Sequence, residues 1–141
     1  MKDEQVNLVR ETFAMVSPIA EAAAGLFYGK LFELDPNLAP LFKGADMKEQ
    51  GRKLMAMLAM VVAGLDRFDA LRPAVANLGA RHVEYHVRPE DYNTVGAALL
   101  WTLETGLGEA YTPAVAEAWT AAYTALSGVM LEAHEASVIG A

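Results

Sequence analysis

Apolar and polar positions follow a helical period along nearly the whole chain. Val6, Val9, Phe13 and Val16 share one stripe, which predicts a first helix over residues 3–16. Ser17 and Pro18 then read as the cap and first position of a second helix that reaches Leu34. Asp35-Pro36 stops it, because the residue before a proline avoids the α region. Gly25 and Gly29 within that helix predict a close crossing with a neighbour. Residues 36–47 form an irregular piece in which Phe42 has no helical stripe of its own. A third helix over 48–65 is apolar nearly all round beyond Lys53, which predicts that most of it is buried. The next helix begins near Leu71, carries Leu71, Val75, Leu78, His82 and Tyr85 on one face, and fades at His86. Pro89-Glu90-Asp91 opens a helix that reaches Leu107, closed by Gly106 and Gly108, and Thr112-Pro113 starts a last one running to Ser137. No window alternates with a period of two, and no repeat or linker interrupts the chain. The expected fold class is all-α, an irregular bundle of about six to eight helices rather than a regular four-helix bundle.

Composition agrees: 26 Ala, 17 Leu and 7 Met stand against 2 Ile, the signature of strong helix formers. A length of 141 residues predicts one domain over residues 1–141. The absence of cysteine excludes disulfides, zinc fingers, iron–sulfur clusters, thiol nucleophiles and covalent c-type haem. A net charge of −7 argues against binding nucleic acid or an anionic membrane. The longest apolar run, from Leu54 to Leu65, is too short to cross a bilayer, so no membrane insertion is expected. The charged start Met1-Lys2-Asp3-Glu4 has no signal-peptide core behind it, which makes the cytoplasm the expected location. An apolar fraction of 54% is high for a chain so charged, and suggests that more than side chains fills the interior.

Among residues able to carry chemistry, His82 is the informative one, an imidazole inside an apolar stripe. A histidine so placed is more often a satisfied core residue than a ligand facing a dry cavity. His86, one turn on, shares its face, but the His-Glu-x-x-His pattern is absent and no third zinc ligand is indicated. Gly106-Leu-Gly108 resembles part of a nucleotide loop, yet no strand precedes it, so it reads as a helix terminator. The three serines lie in no nucleophile elbow, and the acidic residues are scattered over polar faces. What is left is one apolar-face histidine, a tyrosine in a glycine-bearing helix, a glutamine and many apolar side chains. That set suits a flat apolar cofactor such as haem, held noncovalently through one imidazole.

Four segments carry a resemblance. They are Leu26-Phe-Tyr-Gly-Lys-Leu-Phe32 with Asp35-Pro36 and Leu41-Phe42; Gln50-Gly-Arg-Lys-Leu-Met55; Leu78-Gly-Ala-Arg-His82 with Val87-Arg-Pro-Glu-Asp-Tyr-Asn-Thr-Val-Gly96; and Ala118-Trp-Thr-Ala-Ala-Tyr123. In this order and spacing the chain resembles bacterial single-domain globins and the globin half of flavohaemoglobins over essentially its whole length. The resemblance implies a globin fold and a b-type haem. It makes His82 the proximal iron ligand, packs Phe42 on the porphyrin, and lines the distal side with Tyr28 and Gln50, Leu54 lying above the iron. Taken singly, Tyr28 reads equally well as a core aromatic, Phe42 as a loop anchor and Gln50 as an exposed helix start. In flavohaemoglobins a tyrosine–glutamate pair backs the proximal histidine. Tyr92 matches that tyrosine, but an ungapped count from Trp119 puts His134 at the acidic position, with Glu135 next to it.

The expected function is reversible binding of dioxygen, and of other gases such as nitric oxide, at ferrous iron. A second reading is nitric oxide dioxygenation with electrons from a separate reductase, since no reductase domain lies within the 141 residues. A third is a haem-free helical interaction or sensor module in which His82 and Tyr28 are ordinary core residues. A monomer or a homodimer fits each.

Overall fold

The computed structural model describes residues 2–84 and 88–139, apart from the side chains of residues 81–84 and 135–139. Among these residues there are six α-helices, linked by short 3₁₀ turns, and no strand. They are α1 (Asp3–Val16), α2 (Ala20–Leu34), α3 (Met47–Ala63), α4 (Phe68–Glu84), α5 (Asp91–Leu107) and α6 (Pro113–Ile139). The main layers pair α4 with α6, α2 with α5 and α1 with α6, while α3 lies against α2 and α1. No helix among the described residues is long and apolar enough to cross a membrane.

The stripe on α1 is buried as its spacing predicts, with Val6, Val9 and Val16 in the core. Thr12 joins them, although it is polar. Its hydroxyl donates to the Leu8 carbonyl at 2.7 Å and accepts the Trp119 indole N–H at 2.8 Å, so a buried hydroxyl and a buried indole satisfy each other. Ser17 does not act as an N-cap. Its backbone is helical (φ −51°, ψ −41°), and α1 runs through a 3₁₀ turn over Ser17–Ile19 before α2 begins. Pro18 fits that turn because no donor is required there.

Asp35 ends α2 and starts a further 3₁₀ turn over Pro36–Phe42, its carboxylate accepting from Asn37 N–H at 3.1 Å. The piece expected to be irregular is therefore mostly one tight turn. Asp46 caps α3 by accepting from Lys48 and Glu49 N–H. At the far end, the Arg10 guanidinium donates to the Val62 and Ala63 carbonyls and pairs with Asp66 at 2.9 Å, satisfying carbonyls that the helix leaves free. Helix α3 is not buried all round. Leu58, Val61 and Val62 face the core, while Ala56, Ala59, Met60 and Ala63 face outward, since small residues and methionine tolerate either environment.

The close helix crossing expected at Gly25 and Gly29 is absent: a Cβ at either would meet nothing within 4 Å. Close approaches occur instead at Gly51, Gly79 and Gly96, and at Gly64 against the Leu71 side chain. A Cβ on Gly51 would stand 2.9 Å from Ala24 Cβ, on Gly96 2.7 Å from the Tyr123 ring, and on Gly79 2.7 Å from Met130 Cα. Gly108 terminates α5 with φ +56°, a conformation that favours glycine. Its reading as a helix terminator fits that geometry.

Candidate functional site

The site is assembled from the end of α2, the turn after it, and the first turns of α3. Tyr28 and Phe32 are four apart on α2 and project to the same side. The turn over Pro36–Phe42 folds Phe42 back onto them. The Phe42 ring centroid lies 5.4 Å from Tyr28, near edge-on, and 5.5 Å from Phe32; Phe27 meets Tyr28 edge-on at 5.0 Å. Edge-to-face pairs of this kind contribute about 0.5–1.5 kcal/mol beyond their burial, so the cluster holds its rings in place. Tyr28 is buried, and burial pushes its hydroxyl above the usual tyrosine range, an effect that the side chain of Gln50 partly offsets. At neutral pH the hydroxyl is therefore a protonated donor. Gln50 stands in the first turn of α3, half-buried, with half-buried Leu54 one turn further along.

Tyr28, Phe42 and Gln50, 22 residues apart at their extremes, thus come together in one cluster. Leu54 packs on the core beside Phe27. Phe27 and Phe32 belong to the same cluster and were not singled out by sequence. The i, i+4 relation of Tyr28 and Phe32 was the available signal.

Tyr92 lies in another part of the core, at the start of α5. Asp91, 2% exposed, fixes that start by accepting from the Arg88 backbone N–H at 2.8 Å and from its guanidinium at 2.9 Å. Arg88 also reaches Asp35 at 3.3 Å, tying the entry of α5 to the end of α2. The Tyr123 hydroxyl donates to the Tyr92 carbonyl. Against the Tyr92 ring, at 6.0 Å and nearly perpendicular, stands the buried imidazole of His134. Among the described residues its Nδ1 meets no hydrogen-bond partner. Burial, and then the Asp91 charge, push the Tyr92 hydroxyl up to about 12.

The His82 backbone belongs to α4, on the face that buries Val75 and half-buries Leu71 and Leu78. Its side chain, the whole of Tyr85 and His86, and the Glu135 side chain lie outside the described residues. No group of three metal-ligating side chains occurs among the residues described.

A helical chain with an aromatic cluster between α2 and α3 and a histidine-bearing α4 has the architecture of a globin. A bacterial globin from Campylobacter jejuni superposes with a TM-score of 0.83, covering 95% of this chain and 96% of that one at 22% identity, which shows the fold. The globin family model matches residues 25–130, and the chain belongs to the globin family. Flavohemoproteins of Vibrio cholerae, Deinococcus radiodurans and Pseudomonas aeruginosa are 31%, 32% and 33% identical over 94%, 91% and 96% of this chain. The chain spans about a third of the length of these curated relatives (34%, 32% and 35%). Globin membership supports haem-based binding of small gaseous ligands.

Proposed function

We propose that this protein binds dioxygen reversibly at a noncovalent b-type haem whose iron is held by His82. The observation that carries the reading is the Tyr28–Phe42–Gln50 cluster: a buried hydroxyl kept protonated, flanked by an amide and walled by aromatic rings. Those residues fit a haem. The rings and Leu54 offer apolar area for a porphyrin face, and one uncharged donor is what a gas carrying partial negative charge needs. When bound, the haem iron supplies the coordination position at which a diatomic gas is held.

The chain's own residues do the rest. His82, on an α4 face that buries Val75, would anchor the iron from one side. Tyr28 would donate its O–H to the gas, with Gln50 orienting the hydroxyl, and that hydrogen bond would slow release. Phe42 would pack on the porphyrin and keep water out. Among the described residues the Tyr92 ring meets the imidazole of His134, which stands at the position counted as acidic in flavohaemoglobins and would bring no negative charge with which to make a proximal imidazole more anionic. This favours holding oxygen over activating it. The expected signature is a ferrous iron–histidine stretching frequency below that of flavohaemoglobins, raised by His134→Glu; a frequency already as high as theirs would refute the assignment.

The similarity to flavohemoproteins keeps a second reading open, nitric oxide dioxygenation with a separate reductase. Oxygen-loaded protein mixed with nitric oxide separates the two, because a carrier reacts once and an enzyme sustains turnover with cellular reductant. The deciding experiment for the whole reading is an absorption spectrum of wild type and His82→Ala after haem is supplied. A Soret band in the wild type, altered in the variant, is expected. No band would leave a haem-free helical module, and a band unchanged in the variant would move the ligand away from His82. The absence of a spanning helix among the described residues fits the proposed cytoplasmic location.

A further inference from the structure

Arg88 joins two segments that lie 53 positions apart in the chain. One end of the connection is anchored in α5. Asp91, 2% exposed, accepts from the Arg88 backbone N–H at 2.8 Å and from Nη2 at 2.9 Å. A carboxylate so buried holds its cation, because separation would leave a charge unpaired in the interior. The same Nη2 reaches on to Asp35 Oδ2 at 3.3 Å, while exposed Glu90 stands 3.7 Å from Nη1.

Asp35 is likewise divided between two tasks. Its Oδ1 accepts from the Asn37 N–H at 3.1 Å, which starts the turn over Pro36–Phe42, and its Oδ2 takes Arg88. A carboxylate is rigid, so it cannot turn away from one partner without disturbing the other. The planar fork of Arg88 spans both carboxylates, as a point charge on a flexible stem could not. By way of the backbone, the route from the Phe42 turn to the entry of α5 runs through the whole of α3 and α4. Arg88 is the short route.

The two segments belong to opposite sides of the haem reading. The turn seats Phe42 against Tyr28 and Phe32, and the entry of α5 carries Tyr92 and follows the helix that carries His82. We propose that Arg88 is a positioning residue for this pocket: it ties the Phe42 turn to the entry of α5, so that the two move as one and a haem held by His82 and covered by Phe42 is retained. The tie needs no bound group; its effect on retention rests on the haem reading.

Two mild variants test it. Asp35→Asn removes the charge that faces Arg88 and keeps an oxygen for the Asn37 N–H, and Arg88→Lys keeps the charge and loses the fork. Transfer of haem from the ferric protein to an excess of a haem-free acceptor globin should be about two- to fivefold faster in each, the range of a partly exposed ion pair. The double variant should be no faster than the single ones, since all three remove one bridge. Raised ionic strength should speed transfer from the wild type more than from Asp35→Asn. Amide exchange gives a readout that a general loss of stability does not single out. Arg88→Lys should speed exchange at the Asn37 and Leu38 amides, across the bridge, more than at Leu31 within α2.

Wild-type transfer rates in the folded variants would overturn the proposal. So would single-variant effects that multiply in the double variant, or exchange at Asn37 and Leu38 that changes no more than at Leu31. Should Arg88→Lys not fold, Asp35→Asn decides through its transfer rate and salt dependence. A failure of the haem reading shows separately, as a missing Soret band after haem is supplied. It removes the retention role, and amide exchange on the colourless protein still decides whether the tie exists.

Discussion

Replacing Gly79 by alanine should destabilise the protein, although alanine is the better helix former. A Cβ at that position would stand 2.7 Å from Met130 Cα and 2.9 Å from its carbonyl carbon, and closer still to the carbonyl oxygen. All three atoms are backbone of α6, so no side chain can swing aside. Comfortable carbon contacts begin near ~3.5 Å, and α4 and α6 would have to separate locally by roughly 1 Å. Overpacking of this kind costs about 1–3 kcal/mol, against a helix-propensity gain of about 1 kcal/mol. The expected net loss is up to roughly 2 kcal/mol, a fall in Tm of up to about 6 °C for a domain of this size. Gly25→Ala is the matched control. Its Cβ would meet nothing within 4 Å, so the propensity gain stands alone and the variant should be more stable by about 0.5–1 kcal/mol. Urea and thermal unfolding of the two variants side by side make the comparison. A Gly79→Ala protein as stable as Gly25→Ala would refute the close approach of α4 to α6.

Tyr28→Phe should raise the oxygen off-rate about tenfold or more, from the loss of a donor worth roughly 1.5 kcal/mol; stopped-flow release shows it, and an unchanged rate places Tyr28 outside the ligand's reach. Trp119→Phe removes the indole that donates to the buried Thr12 hydroxyl, and should cost about 1–3 kcal/mol in urea unfolding, whereas a neutral change would mean that the 2.8 Å bond is worth nothing. Alkaline pH should unfold the protein through its buried tyrosines. Burial raises Tyr28, Tyr92 and Tyr123, Tyr92 from 10.0 to about 12, so the folded state keeps protons that the unfolded state gives up. Their contribution is complete below pH 10 and is lost as pH rises through about 12. Urea midpoints that stay constant across that window would contradict it.

The helices could be read from sequence because their signals are local. The α1 stripe, the Asp35-Pro36 stop, the Asp91 start and the Gly108 terminator each depend on a few neighbouring residues and on backbone rules. Apart from Ser17, which lies in a 3₁₀ turn and not at a cap, the misreadings concern relations between helices. Gly25 and Gly29 have the spacing of a close crossing, but a spacing names no partner, and these two face open space. The burial of Thr12 has no local signal, because its partner Trp119 lies 107 positions away. Helix α3 looked buried all round because Ala and Met count as apolar, whereas only its Leu58–Val61–Val62 side faces the core. The distal cluster was legible only through the resemblance, since Phe42 in a turn and Gln50 at a helix start have no periodicity to mark them.

Three of the four close approaches that sequence missed, at Gly51, Gly79 and Gly96, bear directly on the candidate site. Gly51, which brings α3 against Ala24 of α2, is the residue after Gln50 and lets the amide reach Tyr28 across the same pair of helices. Gly79, pressed on α6, lies three residues before His82, so the height at which α4 presents its histidine is set by backbone contact rather than by a deformable side chain. Gly96 receives the Tyr123 ring, whose hydroxyl reaches back to the Tyr92 carbonyl; one side chain of α6 thereby fixes the first turn of α5 and the Tyr92 ring that faces His134. Helices α3, α4 and α5 thus each have a close approach within about one turn of a candidate residue, to the Ala24 Cβ, the Met130 backbone and the Tyr123 ring respectively. For the proposed roles of Tyr28 and His82 the spacing of α2, α3 and α4 has to be fixed, and these glycine contacts constrain the helices that carry the two residues.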